Sequence, residues 1–136
     1  SIGEIVIGKE LNEYPKIADT IIEIELTANR GDCLSIHGVA RDLSAALNIP
    51  LNNLEYENND KIKIGLARVA ELKINGLVKS ALKYTMANIN ELHTSFITSL
   101  RLAFIGQLQT NNLDNIIKYT IDTTGVIIRA YDVTDM

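Results

Sequence analysis

Residues 20–27 alternate, with Ile22, Ile24 and Leu26 on one side of an extended chain and Glu23 and Glu25 on the other. That period of two predicts a half-buried strand. A polar stretch over residues 28–33 follows, holding the turn formers Asn29, Gly31 and Asp32. The period then changes. Ile36, Val39, Ala40, Leu43, Ala46 and Leu47 recur at helical spacing behind Ser35, a good N-cap, and Asn48 with Pro50 ends the run. Upstream, the apolar positions 2, 5, 6 and 7 read as a short strand, and residues 11–17 read as a loop or single turn around Pro15.

Residues 52–61, NNLEYENNDK, are polar and rich in Asn, and form the best linker in the chain. Beyond it, residues 62–66, 69–74 and 82–89 read as short strands. Thr94 or Ser95 caps a second amphipathic helix with Phe96, Ile97, Leu100, Ala103 and Phe104 on its stripe, and Gly106 stops it. Residues 111–115 read as a turn. Residues 116–121 and 126–131 flank Asp122-Thr123-Thr124-Gly125, which read locally is a β-hairpin. The pattern predicts an α+β fold in which a small strand–helix module over residues 1–51 precedes a linker over 52–61 and a mixed α/β segment over 62–136.

Composition changes this picture little. The chain has 136 residues, 46% hydrophobic and 22% charged, without Trp. That is ordinary for a globular protein. Charge is more informative. Residues 1–60 carry 4 Lys/Arg against 11 Asp/Glu, and residues 61–136 carry 9 against 6, so the balance shifts from -7 to +3. An acidic first half repels a phosphate backbone, and the second half lacks the dense cationic stripe of an autonomous nucleic-acid binder. The single cysteine, Cys33, excludes an internal disulfide and suits a reducing cytoplasm. No apolar run is long enough for a membrane span. The opening SIGEIVIG and the closing YDVTDM both read as interior sequence, which predicts a piece of a longer polypeptide.

Candidate chemistry is sparse. His37 and His93 have no partner at a metal-ligand spacing, and no metal site is expected. His37 lies off the apolar stripe of its helix and is expected to be exposed. Cys33 stands just before a helix N-terminus, a place that lowers a thiol pKa, but no base is evident for it. It reads better as a small packing residue. No glycine-rich phosphate loop occurs.

The segment IIEIELTANRGDCLSIHGVARDLSAAL is similar to a stretch of the bacterial phenylalanine–tRNA ligase beta subunit. The matching residues are Thr27, Asn29, Arg30, residues 32–35 and residues 38–43, with Ala28 where the family has Pro. The motif residues Asn29, Arg30, Asp32, Cys33, Ser35 and Arg41 read as structural. Arg30 and Asp32 are expected to pin the turn through backbone groups, and Asp32 meets the positive end of the helix dipole. Downstream the likeness thins. Leu82-Lys83-Tyr84, the run 113–120 around Asn115, and Arg129-Ala130-Tyr131-Asp132 resemble parts of the family's editing domain, which hydrolyses tRNA wrongly charged with tyrosine.

The resemblance implies a degenerate editing-like pocket of Lys83, Tyr84, Asn115, Arg129, Tyr131 and Asp132. The family's editing Arg has no counterpart here, and its His falls at Arg129. The family is helical across 113–132, and the shortening here makes the hairpin credible beside that helix, so both stand as readings of 113–132. The resemblance also implies a cytoplasmic, non-catalytic segment with no cofactor of its own. The whole enzyme would use ATP and magnesium, and would pair with an alpha subunit in a heterotetramer that binds tRNA. Apolar surface left by missing neighbours would favour self-association. The competing readings are a stand-alone RNA- or protein-binding module and a small hydrolase, the latter without a nucleophile–base pair.

Overall fold

A computed structural model describes residue 4 and residues 6–15, 17–52, 85–86 and 89–132. The chain divides into two compact units. The first joins Ser1–Leu51 to Leu92–Arg129, and the second joins Asn52–Glu91 to Ala130–Met136. One break between the units follows Leu51. The grouping beyond it differs from a domain running over 62–136, because residues 92–129 fold with the N-terminal module. Among the described residues of the second unit are only 52, 85–86, 89–91 and 130–132.

Three helices build the described part of the first unit: α1 over Ile36–Leu47, α2 over Phe96–Phe104 and α3 over Asn112–Thr124. Short 3₁₀ turns occupy Leu11–Glu13 and Gly31–Cys33. Helix α3 packs against both α1 and α2, and the second 3₁₀ turn packs against α1. No helix among the described residues is long and apolar enough to cross a membrane.

Side-chain caps fix the helix starts. Ser35 Oγ accepts from Gly38 N at 3.1 Å, and Ser95 Oγ accepts from Thr98 N at 3.1 Å. Asn111 Oδ1 accepts from Leu113 N at 2.8 Å. Each satisfies a backbone donor that the first helical turn leaves orphaned. Helix α1 ends at Asn48, which takes the left-handed conformation at φ 53. These starts and stops agree with the expected bounds of the first two helices.

The hairpin expected over residues 116–131 does not form, because residues 116–124 belong to the helix α3. Leu113, Ile116, Ile117, Thr120 and Ile121 share one helical face. Gly125, at φ 77, sends its N–H to Ile121 O, so it works as a helix stop rather than a hairpin turn. Two threonines are accommodated in the helix by back-bonding. Thr120 Oγ1 donates to Ile116 O at 2.7 Å, and Thr124 Oγ1 donates to Thr120 O at 2.8 Å. The turn expected at 111–115 is the capped start of the same helix.

Strands are absent among the described residues. The expected half-buried strand at 20–27 joins no ladder, and its apolar face is open. Ile22, Ile24 and Leu26 are 76%, 49% and 37% exposed. Alternation reports which side chains would share a face, but a strand also needs a partner. The strand expected at the N-terminus gives way to a turn over the described residues, with Lys9 N bonded to Val6 O. Tyr14 holds this turn. Its hydroxyl accepts from Val6 N at 2.7 Å and donates to Val6 O at 3.1 Å. The strands expected at 62–66 and 69–74 lie outside the described residues, as does most of 82–89.

The buried apolar residues among those described are Tyr14, Ile17, Cys33 and Leu102. Leu102 is the most enclosed, at 1% exposure. It lies off the stripe that the helical period suggested, whereas Phe96 and Phe104 are exposed. Likewise, α1 buries Gly38 while Ile36, Leu43 and Leu47 face outward. Leu102→Ala should lower unfolding free energy by about 2–5 kcal/mol in a denaturant titration, the usual cost of emptying a leucine site.

Candidate functional site

The residues with the densest polar geometry are those of the turn before α1. Arg30 reaches across it. Its Nε donates to Asp32 Oδ1 at 3.1 Å, and its Nη2 donates to Asp42 Oδ1 at 2.8 Å. The same Nη2 lies 3.3 Å from Asp32 Oδ2 and 2.8 Å from Cys33 Sγ. Arg41 Nη2 donates to Asp32 Oδ2 at 3.1 Å. Two guanidiniums and two carboxylates thus close on one another, joining the 3₁₀ turn to the middle of α1. The pin was expected to act on backbone groups, but it is made of side chains that reach the following helix.

Electrostatics follow from this closure. The Arg30 guanidinium holds the Asp32 carboxyl well below its usual range, from 3.8 to about 2, against a desolvation that opposes it. Hydrogen bonds to Asp32 and then Asp42 make Arg30 harder still to deprotonate. Burial pushes the Cys33 thiol up, although the Arg30 charge pulls the other way. Burial thus outweighs the Arg30 charge at this thiol. Cys33 is buried and free, and it packs as the sequence suggested.

Two glycines, which sequence reasoning passed over as site residues, set how closely the parts approach. A Cβ on Gly38 would collide with the Asp32 carbonyl oxygen and come within 2.9 Å of its carbonyl carbon. A Cβ on Gly125 would meet Ser35 Oγ at 3.0 Å, so the end of α3 abuts the cap of α1. Gly38 carried a legible signal. Glycine inside a helix is disfavoured against alanine unless something needs the room.

The remaining candidates scatter. Asn115 is buried at 4% exposure and clasps Gln109, accepting from its N at 2.7 Å and donating to its O at 2.9 Å. Asn112 ties the α2 approach to α3, with Thr94 Oγ1 donating to its Oδ1 at 2.8 Å and its Nδ2 donating to Leu92 O at 3.0 Å. Arg129 is exposed at the end of the first unit, and Tyr131 and Asp132 are exposed in the second. Lys83 and Tyr84 lie outside the described residues. Asn29 is exposed in the turn that precedes the pin. His37, expected to be exposed, is half-buried. Among the described residues, no group of three His, Cys, Asp or Glu side chains is placed to hold a metal. Asp32 and Asp42 do not fit a magnesium ion, because two guanidiniums already engage them.

Comparison with known proteins gives this motif its context. The chain is 41% identical over 98% of its length to the "Phenylalanine--tRNA ligase beta subunit" of Campylobacter jejuni. It is 39% identical over 97% to that of Sulfurimonas denitrificans, and 40% identical over 96% to that of Wolinella succinogenes. The chain is homologous to a stretch of the phenylalanine–tRNA ligase beta subunit. It spans 17% to 18% of the length of these curated relatives. The match covers 96% to 98% of the chain and so extends to both sides of residue 61. No family model matches the chain, and no solved structure matches it.

Two outcomes test this geometry. Gly38→Ala should destabilise the fold by about 1–3 kcal/mol or more, because the obstacle is backbone that cannot rotate away. Calorimetry of that variant checks it. A depressed carboxyl stabilises the fold above its unfolded value and ceases to do so as pH falls through its folded value. The stability gap between the parent chain and Asp32→Asn should therefore be full above pH 3.8 and shrink toward pH 2, as read by urea titrations across that window.

Proposed function

We propose that this chain is a non-catalytic segment of the beta subunit of a phenylalanine–tRNA ligase, and contributes to tRNA aminoacylation as scaffold. The observation that carries the reading is the closed charge cluster at Arg30, Asp32, Arg41 and Asp42. The most distinctive residues of the matched motif are spent on one another. They fasten a turn to a helix and leave no group poised over a reacting atom.

The aminoacylation chemistry, with ATP and magnesium, would then lie elsewhere in the enzyme, on an alpha subunit joined to this one, and tRNA would be a ligand of the assembly in the cytoplasm. The finer part of the proposal concerns editing. Discrimination against tyrosine turns on one extra hydroxyl, and an editing site must hydrogen-bond it and hydrolyse an ester. Arg129, permanently cationic, cannot serve as the base that a histidine could supply. Asn115 has both ends of its amide committed to Gln109. These two features support an editing-like region that has lost its chemistry.

Hydrolysis of tyrosine-charged phenylalanine tRNA by the full enzyme tests this. The expected rate is slow and unchanged by Arg129→Ala, while charging with phenylalanine is normal. Rapid hydrolysis that the substitution abolishes would overturn the degenerate-editing reading. Phenylalanine charging by the isolated chain would overturn the scaffold reading.

A further inference from the structure

Helix α3 is held unequally along its length. Side chains tie down its first half. Asn111 caps it, Asn112 bonds to Thr94 and Leu92, and Asn115 clasps Gln109. Tyr119 accepts from Arg101 Nη1 at 2.8 Å. Asp114 stands in the first turn, where the helix dipole favours a carboxylate. Residues 120–124, Thr-Ile-Asp-Thr-Thr, are placed differently. All five belong to the weaker class of helix formers, and four are β-branched. Asp122 sets a carboxylate near the negative end of the dipole, and the last turn has no basic residue. Its pair with Lys118, at 3.1 Å, runs in the less favourable order. Thr120 and Thr124 bond back to helix carbonyls, which loosens a helix. Among the described residues, Thr123 Oγ1 is enclosed without a hydrogen-bond partner. An orphan of this kind favours an open state in which water reaches it.

This weak end abuts the cap of α1. Gly125 lies so near Ser35 that a Cβ would come within 3.0 Å of its Oγ. Ser35 is buried, and its Oγ holds the Gly38 N–H. We propose that residues 120–125 are a releasable strap. They unwind from α3 as one unit while residues 112–119 stay helical, and their release opens the cap of α1 to water. The chain continues from the strap to Arg129, where the first unit ends. A displacement of the chain beyond α3 therefore acts first on the strap, and through Ser35 on the turn that Arg30 pins.

Residue-resolved native-state hydrogen exchange on the whole chain tests this. Amides of 121–125 should exchange at least about tenfold faster than those of 116–119, at a rate insensitive to dilute denaturant, the mark of a local opening. Thr123→Ala removes the orphan hydroxyl and supplies a better helix former, so it should slow exchange at 121–125 at least about fivefold. The Gly38 amide should slow with them, and the Gln109 amide, held by Asn115, should not change. Equal protection across 116–125 overturns the strap, as does unslowed exchange at 121–125 in the variant. A Gly38 amide that ignores the substitution overturns its link to the cap of α1. A Gln109 amide that slows with the strap overturns release as a separate unit.

Discussion

The Arg30 guanidinium meets carboxylates from two elements at once, Asp32 within the 3₁₀ turn and Asp42 nearly two turns into α1. An isolated ion pair on a surface contributes little. This one is a network in which Arg41 holds Asp32 from the other side, so ordering one side chain helps order the next. The network works only because Gly38 lets the turn come down onto the helix. Helix α1, so placed, receives the end of α3 against Ser35, and α3 in turn carries α2. Loosening the turn would therefore loosen each later contact.

What the sequence disclosed was local. Ser35, Ser95, Asn48 and Gly106 marked helix ends because capping is decided by a few adjacent residues. The two helices they bound stand where expected. Residues 116–131 misled for the same reason. Ile, Thr and Tyr suit strands by propensity, but the tertiary face presented by Leu113, Ile116 and Ile117 favours a helix, and the threonine hydroxyls find carbonyls four residues back. The alternation at 20–27 was correctly seen, yet burial depends on a neighbour that a linear pattern cannot supply. Leu102 was missed because the helical stripe identifies a moment and not the side on which a packing partner stands.

The candidate site was legible as a motif and illegible as an arrangement. Arg30, Asp32, Cys33 and Arg41 were singled out by likeness to the beta subunit, but Asp42 as the second anchor of Arg30 appears only in three dimensions. Asn115 shows the opposite case. Likeness suggested a pocket residue, and the fold uses its amide to clasp the loop between α2 and α3. Asparagines do much of the tying here, since Asn111, Asn112 and Asn115 each satisfy backbone groups that water would otherwise have to reach.

The discontinuity of the first unit bears on how it is made. Ser1–Leu51 leaves the ribosome well before Leu92–Arg129, with Asn52–Glu91 between them. The early piece can close its turn on α1 at once, because that charge network is short in sequence. The seat for α3 beside Ser35 must wait for residues synthesised much later. During that interval the nascent chain holds a finished capstone and an empty socket, so co-translational assembly of this unit is ordered in time by the same contact that Gly125 makes in space.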